Sequence, residues 1–188
     1  MRKIIASTYV SLDGVIEDPQ NWTMEYFSED AGAYAFGLLQ TCDALLMGRR
    51  TYDGFAASWP TMEEQTGEFG VKMNTMPKYV VSDTLETADW TNSTIIRRDQ
   101  ALDEVRALKE QPGGDILMYG FGPLAYDLLR DGLLDEARFW IHPVFVGGES
   151  LSNQFTIDKA APKLELADTQ TLSSGVVIVS YRPAAKAT

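Results

Sequence analysis

The chain has 188 residues, 45% of them apolar and 11% aromatic, which is enough to bury a core in one domain spanning 1–188 and too apolar for a disordered chain. Its net charge of −11 excludes the broad basic face that general nucleic-acid binding needs. One cysteine, Cys42, and one histidine, His142, exclude an intramolecular disulfide and the usual clustered metal sites. No run has the length of a signal peptide or a membrane span, so the expectation is a cytoplasmic protein with no membrane or nucleic-acid partner and no metal.

Residues 2–10 predict a strand, and the Asp13-Gly14 step a turn after it. The stretch 11–26 reads as irregular. Ser28 is placed to cap a helix over 28–42, with Glu29 and Asp30 in its first turn and Ala31, Ala35, Leu38 and Cys42 at helical spacing. Residues 43–48 form a short apolar run that reads as a buried strand, with a helix following from Arg50. Residues 58–76 read as irregular, and strands are predicted at 78–82 and 93–98. Asp99 is placed to cap a helix carrying Leu102, Val105 and Leu108, which Pro112-Gly113-Gly114 ends. A strand at 115–119 leads through Gly120-Phe121-Gly122 into a helix that begins at Pro123 and is capped by Gly132.

The last third predicts strands alone, at 136–146, 163–172 and 176–182, with an irregular stretch at 147–162 and a hairpin turn at Ser174-Gly175. Strands alternating with helices and then strands alone imply an α/β fold. The expected sheet is mixed and mostly parallel, with about eight strands, an antiparallel C-terminal hairpin, and helices on both faces.

In such sheets ligands bind beyond the carboxyl ends of the strands, and three features lie there. Met47-Gly48-Arg49-Arg50-Thr51-Tyr52 joins a strand end to a helix start, where free N–H groups and guanidiniums suit a phosphate; a tight turn with solvated arginines has the same sequence. Tyr119-Gly120-Phe121-Gly122-Pro123 repeats that logic, although neither the Rossmann fingerprint nor a Walker loop is complete in it and by itself it reads more readily as a plain turn. Ser82, just past its strand, either bonds a phosphate or starts a turn. A second arginine pair, Arg97-Arg98, adds local positive charge to an acidic chain, which suits a small anionic ligand and equally an ordinary solvated surface.

Taken in order, Ser11-Leu12-Asp13-Gly14, Met47 to Tyr52, Met73 to Ser82, Gly120-Phe121-Gly122 and Pro143 to Gly148 resemble the dihydrofolate-reductase-like superfamily. The chain is most similar to stand-alone proteins resembling the C-terminal reductase domain of the bifunctional riboflavin-biosynthesis deaminase/reductase. The resemblance covers roughly the whole chain and implies a three-layer fold, a homodimer and NADPH as cofactor. By position it places Gly48, Arg49, Arg50 and Thr51 on the cofactor phosphates, and Ser82 with Arg97 or Arg98 around the 2′-phosphate. Gly120, Phe121, Gly122, Pro123 and Leu124 would cradle the pyrophosphate.

Trp22 would lie in a loop over the nicotinamide or the substrate, with Asp13 beside it, and Asp13 or Asp30 would assist protonation as hydride arrives. From the residues themselves, Asp13 reads equally as an Asp-Gly turn and Asp30 as a helix-start acid. Protonation near neutral pH calls for a buried carboxyl with a raised pKa. The implied activity is hydride transfer to a small heterocyclic or sugar-derived substrate, with 5-amino-6-(5-phosphoribosylamino)uracil reduction the nearest named reaction. A pterin or dihydrofolate reductase and a non-catalytic NADPH-binding module are the alternatives. On the substrate side the chain departs from the riboflavin-pathway pattern, with Ser7 where that pattern has lysine and Phe55-Ala56-Ala57 where it has Asp-Asn-Pro.

Overall fold

A computed structural model of the chain describes residues 1–147 and 162–184. Among these, the strands β1 (Ile4–Ser11), β2 (Cys42–Gly48), β3 (Lys78–Val81), β4 (Ser93–Ile96), β5 (Asp115–Tyr119), β6 (Glu136–His142), β7 (Leu164–Thr171) and β8 (Val177–Pro183) form one eight-stranded sheet in the order β4-β3-β2-β5-β1-β6-β8-β7. The pairs β1/β6, β2/β3, β2/β5 and β3/β4 are parallel, whereas β6/β8 and β7/β8 are antiparallel. The mixed, mostly parallel sheet with its antiparallel C-terminal hairpin is therefore as the alternation of elements predicts. The helices are α1 (Glu29–Thr41), α2 (Arg49–Ser58), the single turn α3 (Glu63–Thr66), α4 (Glu68–Thr75), α5 (Ala101–Glu110) and α6 (Pro123–Arg130). None among the described residues is long and apolar enough to cross a membrane.

By its contacts the chain divides into two compact units, Met1–Ile4 with Phe36–Tyr119, and Ile5–Ala35 with Gly120–Thr188. The first holds β2 to β5. Its β2 is buried on both faces, with Ala44, Leu45, Leu46 and Met47 essentially inaccessible, as a central parallel strand requires. Met73, Val80, Val105, Ile116 and Leu117 complete that core, and burying each large side chain contributes about 1.5–3 kcal/mol. At the start of β2 a register shift frees the Asp43 carboxylate, which accepts from the Arg2 guanidinium and, at 2.7 Å, from the Gly114 N–H. Side chains are excluded at that corner, because a Cβ on Gly114 would lie 2.8 Å from the Thr41 carbonyl oxygen.

The second unit packs Ala31, Trp140, Leu172, Val176 and Ile178 into its own cluster. Its outer strand β7 is exposed along nearly its whole length, and its alternation of Leu164, Glu165 and Leu166 is that of an edge strand.

Several boundaries differ from expectation. Residues 58–76 are helical: a 3₁₀ turn at Trp59–Thr61 takes Pro60 at its start, and Gly67 at φ 57° breaks α3 from α4. Asp99 lies inside a 3₁₀ turn, Arg98–Gln100, and does not cap α5. Strand β6 stops at His142, because Pro143 brings no N–H to continue the ladder. The stretch 11–26 holds two 3₁₀ turns, Pro19–Asn21 and Met24–Tyr26. Gly148 and most of 147–162 lie outside the described residues.

Candidate active site

In the first unit three parallel strands end abreast. Register places Gly48 beside Val81 and Val81 beside Ile96. Arg49, Ser82 and Arg97, the residues that follow, therefore leave the sheet side by side. Gly48 is extended at the start of α2 and, being glycine, brings no side chain to cap it, and Arg49, Arg50 and Thr51 carry helix N-terminal amides at this sheet end. A Cβ on Gly48 would meet no atom within 4 Å, which leaves that approach open.

The buried Ser82 hydroxyl accepts the N–H groups of Thr84 at 3.2 Å and Leu85 at 3.0 Å, folding the 82–85 turn. Arg97 Nη1 donates to the carbonyls of Ser82, Asp83 and Leu85 at 3.2, 3.0 and 3.2 Å. The first task of both residues is thus to shape this turn. Arg49 pairs with Asp53 at 2.7 Å and reaches the Thr84 hydroxyl at 3.5 Å. The Arg98 side chain stands 3.8 Å from Asp83 and is 65% exposed. Exposed ion pairs of this kind are worth at most about 1 kcal/mol, so an incoming phosphate can compete for Arg49 and Arg98. Beside them Tyr52, Asp53, Ala56, Pro60, Leu85 and Trp90 line a cleft of about 390 Å³.

The Gly120 turn begins the larger stretch of the second unit. Gly120 adopts φ 86° and donates its N–H to the Ser7 carbonyl at 2.9 Å, a conformation that favours glycine. Pro123 takes the first position of α6, after an extended Gly122 whose Cβ direction is open. Leu124 follows in the first turn. Phe121 points inward, edge-on to Tyr126 at 5.0 Å and tilted against Phe139 at 5.1 Å, so it offers a ligand main chain only.

The two candidate acids have the opposite electrostatics to those expected. Asp13 accepts the Ser11 hydroxyl at 2.5 Å and the N–H groups of Gly147 at 2.7 Å and Val146 at 3.2 Å. These bonds, the one from Ser11 foremost, lower its pKa to about 2. Asp30 accepts the Ser28 hydroxyl, the Ser173 N–H at 2.7 Å and the Ser173 hydroxyl at 2.9 Å, and the same cause, led by Ser28, brings it to about 2. Both are carboxylates at neutral pH and both tie loops together. Neither has the raised pKa that protonation near neutral pH calls for.

On the face of β6 that carries Glu136, Arg138, Trp140 and His142, the imidazole is the centre of a ring cluster. Tyr9, Trp22 and Tyr26 meet it edge-on at 5.1, 5.4 and 5.7 Å. His142 is buried, its Nδ1 lies 2.8 Å from the Trp140 carbonyl, and burial lowers its pKa against that bond. The Trp22 indole N–H is held by the Glu17 carbonyl at 3.0 Å, and that of Trp140 by the Ser7 hydroxyl at 3.0 Å.

Residues 2–178 match the family described as the RibD C-terminal domain. The chain belongs to that family. An uncharacterized protein of Bacillus subtilis, YyaP, is 35% identical over 183 residues, 96% of this chain and 94% of that protein. Among solved structures, a putative riboflavin biosynthesis protein from Shewanella sp. PV-4 superposes with a TM-score of 0.71 at 19% identity, covering 97% of this chain and 99% of its own. The Thermotoga maritima diaminohydroxyphosphoribosylaminopyrimidine deaminase/5-amino-6-(5-phosphoribosylamino)uracil reductase gives 0.66 at 15% identity, covering 97% of this chain and 57% of that one. Enterococcus faecalis dihydrofolate reductase, solved with NADP(H), gives 0.60 at 12% identity, covering 96% of each chain. The fold is dihydrofolate-reductase-like.

Within this RibD C-terminal domain the structure brings Arg49, Ser82, Arg97 and Arg98 to one sheet end. Thr84 in the first cluster, and Tyr9 and Tyr26 in the second, were not singled out in the sequence. The period of two along Glu136, Arg138, Trp140 and His142 was the available signal for the second cluster.

Proposed function

We propose that this chain is a reductase of the riboflavin-pathway type that uses NADPH to reduce a C=N or C=O carbon in a small heterocyclic or sugar-derived substrate. The observation that carries the reading is the strand-end cluster, in which Arg49, Ser82 and Arg97 follow three residues in register. Its donor set of guanidiniums, hydroxyls and helix N-terminal amides suits a nucleotide with an additional phosphate. Arg49, Arg50, Thr51 and Arg98 would hold phosphate groups there. Ser82 and Arg97 would keep the turn in shape. The dinucleotide supplies the hydride; the chain supplies binding, orientation and exclusion of water.

The test is calorimetric titration with NADPH and NADH of the wild type, Arg49→Ala and Arg98→Ala. NADPH is expected to bind more tightly than NADH, and loss of one charge-assisted contact is expected to weaken it by about 10- to 100-fold. Binding of neither nucleotide overturns the reading. One observation favours the second reading, a binding module without turnover: Asp13 and Asp30 are both held ionised by their hydrogen bonds. NADPH that binds but is oxidised by no member of a pyrimidine, pterin and folate panel would select that reading.

A further inference from the structure

Among the strand-end arginines of the first unit, Arg98 already holds an anion of the chain's own. We propose that Asp83 is a specificity-determining residue of the nucleotide site: a built-in counter-ion on Arg98 that limits how strongly the chain prefers a nucleotide with an extra phosphate. This deepens the reductase reading and rests on it.

Asp83 follows Ser82 beyond the end of β3, and register sets that end beside the end of β4, Val81 against Ile96. Its turn is fixed from both sides. The Ser82 hydroxyl accepts the N–H groups of Thr84 and Leu85, and Arg97 Nη1 donates to the carbonyls of Ser82, Asp83 and Leu85. From that turn Asp83 Oδ1 accepts the main-chain N–H of Arg98 at 2.9 Å, while Oδ2 stands 3.8 Å from Arg98 Nε. One carboxylate thus faces both the amide and the guanidinium of the same residue, which are the donors a phosphate seeks.

The arginines at this sheet end differ in what they can offer. Arg97 has turned Nη1 to three carbonyls. Arg49 has Asp53 one helical turn further on, its Nε 2.7 Å from both carboxylate oxygens. Arg98 and Asp83 are both open to solvent, with side chains 65% and 56% exposed, so a ligand reaches them together. A phosphate that takes the Arg98 guanidinium does not remove Asp83, because the main-chain bond and the turn hold the carboxylate where it is. Two anions on one guanidinium lie well within a Debye length of each other and repel.

This repulsion falls on the extra phosphate alone. A nucleotide without that phosphate brings no second anion to Arg98, so Asp83 acts on the difference between two affinities, as a specificity device must. Its charge can also be separated from its hydrogen bond. Asparagine keeps a side-chain oxygen for the Arg98 N–H and carries no charge.

The experiment is calorimetric titration with NADPH and NADH, and with 2′,5′-ADP and 5′-AMP, which carry the same difference in a fragment. The proteins are the wild type, Asp83→Asn, Asp83→Ser, Arg98→Ala and the double variant Asp83→Asn with Arg98→Ala, each checked for folding by thermal unfolding. Asp83→Asn is expected to raise the ratio of NADPH to NADH affinity at least about fivefold, and the fragment ratio likewise. In the Arg98→Ala background that gain is expected to vanish. A ratio that is unchanged or lower in both Asp83 variants, or a gain that survives without Arg98, overturns the proposal. A role confined to shaping the turn would weaken both members of a pair together and leave their ratio where it was. NADPH that binds with an unmoved ratio overturns this proposal alone, whereas binding of neither nucleotide to the wild type or to Asp83→Asn overturns the reductase reading and this with it.

Discussion

Lys78 shows how much of a residue's behaviour is set by what surrounds it. Its side chain is fully buried, its ammonium donates to the carbonyls of Asn74, Met76 and Thr91 at 2.8, 2.8 and 2.9 Å, and it lies 4.3 Å from the centre of the Trp90 ring. Those acceptors hold it charged at neutral pH, while burial pulls its pKa from 10.5 down to about 8. The unfolded chain then binds more protons than the folded one between those values, so this group makes stability rise as pH rises from about 8 to 10.5. Lys78→Met is expected to lose about 2–3 kcal/mol at pH 7, because three buried carbonyls lose their donor. It is also expected to lack that rise in urea unfolding midpoints measured across the same pH range. The sequence placed Lys78 on a strand; nothing local marked it as buried. Asp13 and Asp30 teach the same lesson, since partners about 130 and 140 positions away, Gly147 and Ser173, help to set their ionisation.

Between elements, the segment from Trp59 to Thr75 is organised by one side chain. Asn74 donates to the Trp59 carbonyl at 3.0 Å and to Glu63 at 2.7 Å, and it accepts the Trp90 indole N–H at 2.7 Å. One amide thereby joins α4 to the 3₁₀ turn, to α3 and to the approach to β4, and the Tyr52 hydroxyl extends the tie to α2 by accepting the Trp90 N–H at 3.1 Å. Phe69 stacks on Trp59 at 5.5 Å beside it. Asn74→Ala is expected to cost about 2–3 kcal/mol, leaving buried donors and acceptors unpaired, and chemical denaturation of the purified variant measures it. These helices were illegible in the sequence because Pro60, Gly67 and exposed polar residues interrupt any apolar stripe. Their stability comes from Asn74 and the aromatic contacts, and local periodicity carries neither. Elements with a strong apolar pattern, such as β2, were legible to within a residue or two.

Over the whole molecule, a net charge of −11 sets a self-repulsion that salt screens. The thermal unfolding midpoint is therefore expected to rise between about 10 mM and 150 mM salt, because the Debye length falls from about 30 to 8 Å. A scanning experiment at the two salt concentrations checks this, and a midpoint that falls would mean that attractive surface pairs outweigh the repulsion. The order of the strands, the mostly parallel sheet with its antiparallel finish and the family motifs were determined by the sequence itself. Strand and helix patterns repeat over a few residues, and glycine and proline punctuate them locally. Tertiary structure alone decided that Gly48, Val81 and Ile96 stand abreast, that Phe121 turns into the core, and that Gly147 and Ser173 complete the hydrogen bonds of the two candidate acids. Those outcomes depend on strand register and on hydrogen bonds between residues far apart in the chain, and no local pattern of amino acids encodes which distant group completes a bond.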